Sequence, residues 1–268
     1  MEIDLNNVEE TLLIPLRGRA QISKDFPSLL NDAKAIELVE HIDYDFSTLD
    51  KAFRFEGILQ FAARAKQFDD KLKAYITAHP YASVVNIGAG LDTTFSRIDN
   101  GTINWYDLDL PNVIELRKQL IPETNRATCI AKSLFDSSWC TDVRNTKDGV
   151  FIVAGGVLIY FEEAQVKQFF SLLADNLHGG EIVFNVQSKL GNLISNWGLR
   201  RTGMKRATSK WALKEANKMT KWDKRIEVID QFPLFKNIPR DPAWGKEIKR
   251  WMDFIDKNRV FNIFHLRV

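Results

Sequence analysis

An α/β fold, built on a mostly parallel sheet with helices on both faces, is what this 268-residue sequence predicts. Three observations carry the prediction. Short β-branched runs alternate with helical patterns through the middle of the chain. The first run ends in a glycine turn, Gly88-Ala89-Gly90, and the next ends in Asp107-Leu108-Asp109, about twenty residues on, as ligand-binding α/β sheets do. No internal repeat or low-complexity linker interrupts the chain, and 45% hydrophobic residues suffice for a large core.

Taken in order, residues 59–77 form a helix with Phe61, Ala65, Phe68, Leu72 and Ile76 along one side. Residues 83–88 (SVVNIG) are a buried strand closed by glycine. Residues 102–109 (TINWYDLD) are the second strand. Pro111 then fits the first position of a helix that runs to about Leu120, with Pro122 as its stop. A third strand occupies 127–134, and GVFIVAGGVLIY (149–160) contains a fourth. Residues 162–177 are helical: two glutamates favour the amino end, and Val166, Phe169, Phe170, Leu173 and Leu177 make an apolar stripe. Gly179-Gly180 supplies its stop. EIVFNVQ (181–187) is a fifth strand. In the stretch beyond it, residues 209–222 pattern as an amphipathic helix with Trp211, Ala212, Ala216, Met219 and Trp222 apolar. Strands at 226–235 and 261–268 flank a helix at 242–257 and close the sheet as a hairpin-like pair. The chain reads as one domain: a helical N-terminal cap over about 1–80, a core over 81–188 and 226–268, and a helical lid insertion over 189–225.

Charge and special residues narrow the function. Lys and Arg number 37 against 35 Asp and Glu, a net charge of +2, which argues against a protein made to coat nucleic acid or a membrane. The average hides an asymmetry. Residues 189–225 hold eleven Lys and Arg against Glu215 and Asp223, a balance of +9, and the rest of the chain is at −7. Cys129 and Cys140 are too few for a disulfide framework and match no zinc spacing. His41, His79, His178 and His265 form no HxxxH or HExxH pair, so no metal site is expected. The acidic N-terminus has no signal-peptide pattern, and no apolar run is long enough to span a bilayer. A cytoplasmic protein is the expectation.

The chemistry concentrates in NIGAGLDTTFSR (86–97). Glycines at 88 and 90 let the backbone approach a ligand with no Cβ in the way. An acidic group at the end of the next strand can accept hydrogen bonds from both hydroxyls of a ribose. A dinucleotide fingerprint would need a third glycine where Thr93 stands. S-adenosylmethionine has a ribose and no phosphate, so it tolerates the break. A glycine turn with no ligand is the third reading of the same residues.

GAGLDTTFSR, then WYDLDLP, then AGGVLIYF leading into a helix, together resemble the leucine carboxyl methyltransferase superfamily and its microbial polyketide O-methyltransferase branch. The resemblance spans most of the chain, from TLLIPLRGRA (11–20) to the last strand. It implies a class I (Rossmann-like) methyltransferase fold, with S-adenosyl-L-methionine as cofactor and a small-molecule methyl acceptor. Carried over by position, Arg64 meets the cofactor carboxylate, for which a guanidinium fork is suited. Gly88, Ala89 and Gly90 pass under its amino-acid part. Asp109 holds the ribose hydroxyls, with Asp107 the weaker candidate. Leu134 lies near the adenine, and Asp136 either faces the adenine amino group or caps a helix. Several members carry glutamate before the GVLxY element, where this chain has Gly155, so the contact to the cofactor's amino group is either lost or taken over by backbone carbonyls around Ala154. Tyr160 borders the acceptor site or packs in the core. A carboxylate acceptor needs no base, whereas a hydroxyl does. No motif marks a base; His41 and His265 are the only histidines considered for it. The basic insertion is expected to form a lid over an anionic acceptor, with Arg200, Arg201 and Lys205 in contact. A nucleic-acid methyltransferase, prompted by the +9 segment, and an inactive cofactor-binding homologue, prompted by Gly155, are the alternatives.

Overall fold

A computed structural model describes residues 10–201 and 208–268. Helices α1 (Glu10–Asp25), α2 (Ala33–His41), α3 (Ser47–Ala52) and α4 (Phe55–Ala78) come first. Then follow β1 (Ser83–Ile87), α5 (Thr94–Ile98), β2 (Asn104–Asp109), α6 (Pro111–Leu120), β3 (Ala127–Ala131), α7 (Trp139–Asp142) and β4 (Val150–Ala154). The remainder is α8 (Glu163–Asn176), β5 (Glu181–Gln187), α9 (Lys189–Arg201), β6 (Glu227–Pro233), α10 (Lys246–Lys257) and β7 (Phe261–Arg267).

The sheet has seven strands in the order β3-β2-β1-β4-β5-β7-β6. Strands β1 to β5 run parallel, and β7 is antiparallel to both of its neighbours. The late pair therefore closes the sheet as expected. Every residue of β1 and β4 is buried, because helices cover both faces; such strands read as unbroken apolar runs instead of alternating ones. On one face Val85, Ile87, Ile152 and Phe184 pack with Phe169, Phe170 and Leu173 of α8. On the other, Val84, Trp105, Phe151 and Val183 pack with Leu59, Phe68 and Leu72 of α4 and Met252 and Ile255 of α10. Local signals set the helix ends. Pro111 opens α6, and Glu162 with Gln165 forms a reciprocal capping box at α8. Among the described residues no helix is long and apolar enough to cross a membrane.

Two expectations need correction. Strand β3 ends at Ala131, short of residue 134, and turns follow. Residues 209–222 are not a continuous helix. The helix of the insertion is α9, while residues 208–213 run without helix and a 3₁₀ turn spans Ala216–Lys221. The backbone explains it. The N–H groups of Lys210 and Trp211 both donate to Ile159 O, at 2.8 and 3.1 Å, and Leu213 N–H donates to Gln187 O at 3.0 Å. Those bonds tie the segment across the ends of β4 and β5 and leave none for a helix. Trp211, Leu213, Ala216 and Met219 still enter the core, now from a strap.

Candidate active site

The strand order reverses between β1 and β4, whose successors run outward on opposite sides. A crevice at the carboxyl ends of such strands is where open α/β sheets hold ligands. The turn after β1 is built to lie close to other atoms. Gly88 and Gly90 have φ of 64° and 44°, in the left-handed region. A Cβ on Gly88 would stand 2.7 Å from Val157 Cγ2, and one on Gly90 2.9 Å from Leu12 Cδ2. Both positions exclude a side chain on two counts, conformation and space. Gly88 and Ala89 donate their N–H groups to Leu108 O at 2.8 and 3.2 Å, which fixes the turn to β2.

The two acidic candidates on β2 have different surroundings. Asp107 is buried. Its Oδ1 accepts Asn86 Nδ2–H and Trp105 Nε1–H, both at 2.9 Å, and its Oδ2 accepts Arg117 Nη2–H at 2.7 Å. Those partners occupy it within the fold, so it is a poor ribose ligand. Asp109, at the end of the strand, accepts Gly90 N–H on one oxygen and Leu110 N–H on the other, each at 2.8 Å. Each oxygen keeps room for another donor. Burial raises its carboxyl above the ordinary range despite those two N–H groups.

Arg64, on α4, makes no hydrogen bond or ion pair with any described residue; its guanidinium lies 5.7 Å from the Phe61 ring. Burial, with help from the Arg19 cation, pushes its pKa down to about 10; Tyr160 and Asp92 oppose the shift. It sits beside Gly155-Gly156: a Cβ on Gly156 would come within 2.6 Å of Arg64 Nη1, and one on Gly155 within 3.8 Å of Nε. With glycine at both positions, neither residue offers this cation a carboxylate. Ala154 is the buried last residue of β4. Gly156 N–H donates to Asn185 Oδ1 at 2.6 Å, so Asn185 of β5 joins the site, a residue the sequence patterns gave no reason to select. Tyr160 follows in a 3₁₀ turn, and burial raises its phenol while Arg64 counteracts it.

The remaining candidates separate. Leu134 is buried, with its carbonyl accepting Trp139 Nε1–H at 3.1 Å and Phe135 beside it edge-on to Phe161. Asp136 is exposed and accepts Ser138 N–H at 3.0 Å, which holds it below the ordinary carboxylate range. That is a turn-forming role before α7. His265 does not reach the crevice: its Nε2 lies 2.9 Å from Glu181 Oε2, at the amino end of β5. His41 is exposed at the end of α2, with Nδ1 2.7 Å from Glu37 O. Of the basic lid residues, Arg200 is exposed on α9; Lys205 lies outside the described residues, as does the side chain of Arg201.

Several known proteins resemble this chain. The family model for leucine carboxyl methyltransferase matches residues 18–174. The tetracenomycin polyketide synthesis O-methyltransferase of Streptomyces glaucescens is 34% identical over 184 residues, 68% of this chain and 67% of that protein. An S-adenosylmethionine-dependent methyltransferase of Gibberella zeae is 25% identical over 214 residues, 73% of this chain and 72% of that one. Among solved structures, an S-adenosylmethionine-dependent methyltransferase from Anabaena variabilis superposes with a TM-score of 0.52 at 9% identity, covering 75% of this chain and 83% of that one. The chain thus belongs to the leucine carboxyl methyltransferase family, and its chemistry is S-adenosylmethionine-dependent O-methyl transfer.

Proposed function

We propose that the crevice at β1, β2 and β4 holds S-adenosylmethionine and that the protein methylates a carboxylate on a small, anionic or aromatic molecule. The observation that supports the cofactor assignment is Arg64, a half-buried cation that makes no hydrogen bond or ion pair among the described residues. The residues fit the cofactor's parts. Arg64 takes its carboxylate, the Cβ-free turn Gly88-Ala89-Gly90 runs along its amino-acid portion, and Asp109 takes the ribose hydroxyls. Leu134 borders the adenine, and the backbone at Ala154 and Gly155 takes its amino group. When bound, S-adenosylmethionine supplies an electrophilic methyl group on a sulfonium sulfur, open to in-line attack by an oxygen.

The choice of acceptor follows from what surrounds the site. Arg64 lies against Gly155-Gly156 with Tyr160 electrostatically coupled to it, and the Asn185 amide accepts the Gly156 N–H, so donors are available there. Neither histidine considered as a base is placed to serve. A carboxylate is ionised near neutral pH and needs only alignment and removal of water. The strap at 208–213 bonds to Ile159, next to Tyr160, and to Gln187 at the end of β5, which supports reading the insertion as part of the acceptor side. We take the molecule as one cytoplasmic domain, with α1–α4 as its cap and the basic insertion as a lid that draws in an anion.

Calorimetry with S-adenosylmethionine tests the cofactor assignment, and no binding by the intact protein would refute it. Transfer of a labelled methyl group to aromatic acids and to phenols tests the acceptor. A labelled product that loses its label in mild alkali is an ester; an alkali-stable ether would reject the carboxylate. Neutralising Arg200, Arg201 and Lys205 together is expected to raise the acceptor KM about threefold to tenfold, more at low salt than at high. An unchanged KM would reduce these residues to a solvated surface.

A further inference from the structure

Three consecutive carbonyls of the cofactor turn are each held by a buried guanidinium. Arg117 of α6 donates from Nη1 to Gly90 O and to Asp92 O, both at 2.8 Å. Arg19 of α1 donates from Nη2 to Leu91 O at 3.0 Å. Each arginine is anchored behind the turn by a buried carboxylate: Arg117 by Asp107 at 2.7 Å, and Arg19 by Asp32 at 3.0 Å. Asp32 also accepts the Thr93 hydroxyl at 2.7 Å and an Arg97 N–H at 2.5 Å, and it caps α2 through Ala35 N–H at 3.0 Å. All of Arg19, Asp32, Asp107 and Arg117 are at most 4% exposed.

The Arg117 half of this arrangement closes on itself. Asp107 binds Arg117, Arg117 binds the carbonyl of Gly90, and the N–H of Gly90 binds Asp109, two residues along the same strand from Asp107. Gly90 has no side chain and sits at positive φ, so its two backbone groups alone settle its orientation. The Gly90 N–H in turn occupies one oxygen of Asp109 and thereby directs the sites left open on that carboxylate.

We propose that Arg117 is a positioning residue for cofactor binding, acting through the Gly90 peptide on Asp109. This rests on the assignment of Asp109 to the cofactor's ribose. Lysine at 117 keeps a charge for Asp107 but has no planar fork to reach the carboxylate and two carbonyls at once. Arg19 holds the middle carbonyl from the other side and steadies the turn against rotation.

A double-mutant cycle on the intact protein tests this, with S-adenosylmethionine and S-adenosylhomocysteine affinities read by calorimetry. Arg117→Lys is expected to raise both Kd values about tenfold, the loss of one charge-assisted hydrogen bond. The kcat at saturating cofactor stays as in the wild type. In an Asp109→Ala background the same change is expected to add less than about twofold, because its target carboxylate is gone. A merely structural role for Arg117 would weaken binding equally in both backgrounds, and that additivity would overturn the proposal, as would an unchanged Kd in Arg117→Lys. Should Arg117→Lys fail to fold, the neutral pair Asp107→Asn with Arg117→Gln replaces it, with the same readings in each direction. Failure of the wild type to bind the cofactor would instead remove the Asp109 assignment, so the two failures are distinguishable.

Discussion

Arg117, buried, and Arg64, half-buried, flank the crevice from different helices, and their charges respond in opposite ways. At Arg117 burial works against the charge, but Asp107 and Asp92 more than offset it and hold the guanidinium above its ordinary value. Only its Nε lacks a partner. At Arg64 burial and the Arg19 cation outweigh the opposing pull of Tyr160 and Asp92, and the value falls to about 10. The first arginine belongs to the scaffold. The second carries a desolvation that its neighbours only partly offset and that an anionic group can relieve, which is why we propose it as the cofactor-carboxylate ligand. Burial alone distinguishes nothing here; the presence of a counter-charge does.

That comparison can be broken at either end. The largest expected effect is at Asp107. Asp107→Ala strands a buried guanidinium and is expected to destabilise the fold by about 3–5 kcal/mol, measured by urea unfolding. A loss well under 1 kcal/mol would show that Arg117 finds another partner. At Arg64 the signs differ for binding and stability. Arg64→Met is expected to weaken S-adenosylmethionine binding about a hundredfold, roughly 2.7 kcal/mol, while raising the apo stability by about 1 kcal/mol through removal of an unpaired cation. A drop in apo stability would mean that Arg64 is a structural residue after all.

Asp109→Ala is expected to weaken cofactor binding about tenfold with little change in stability. Its pH dependence sharpens the point. The carboxyl is raised by burial, and in the proposed contact it is the ionised form that accepts the ribose hydroxyls. Affinity therefore declines on acidification from a higher pH than an ordinary aspartate would give, and this limb disappears in Asp109→Ala. The smallest effect is a control away from the crevice. Asp256 is pushed up to about 6 by burial, although its Oδ1 accepts Phe235 N–H at 3.0 Å. Since the folded value exceeds the unfolded one near 3.8, its contribution to stability is full below about pH 4 and is lost as pH rises through 6. After allowance for solvent screening the change is about 1 kcal/mol, read from Tm across that window. Asp256→Asn should flatten it and leave cofactor affinity untouched, which would separate a shifted pKa from a binding site.

Much of this was legible before any coordinates. The β-branched runs gave β1, β4 and β5, because strands buried on both faces must be apolar throughout. Pro111, the Val166–Leu173 stripe and the late hairpin were equally plain. The glycine turn was visible because a close approach demands glycine, and Asp109 stood out as the acidic end of the next strand, whose ribose contact is our proposal. Other features were not. The 209–222 stretch has helical spacing, but three hydrogen bonds to Ile159 and Gln187 override it, and no local pattern announces a tertiary bond. The choice between Asp107 and Asp109 needed the position of Arg117, ten residues away and on another element. Arg19, Asp32 and Asn185 were missed for the same reason: their roles arise from backbone groups that only the fold brings to them.

The register of β2 has a consequence for descent. Asp107 and Asp109 are separated by one residue, yet the fold gives them unrelated partners, the buried Arg117 for one and turn N–H groups for the other. A lineage relieved of the need for the cofactor can drift at 109 and keep a stable fold. Drift at 107 is blocked while Arg117 remains, because either change alone strands a charge. An ancestor that lost its chemistry would thus be expected to show an intact Asp107–Arg117 pair beside an eroded position 109, and the order of loss would be written in two letters of one strand.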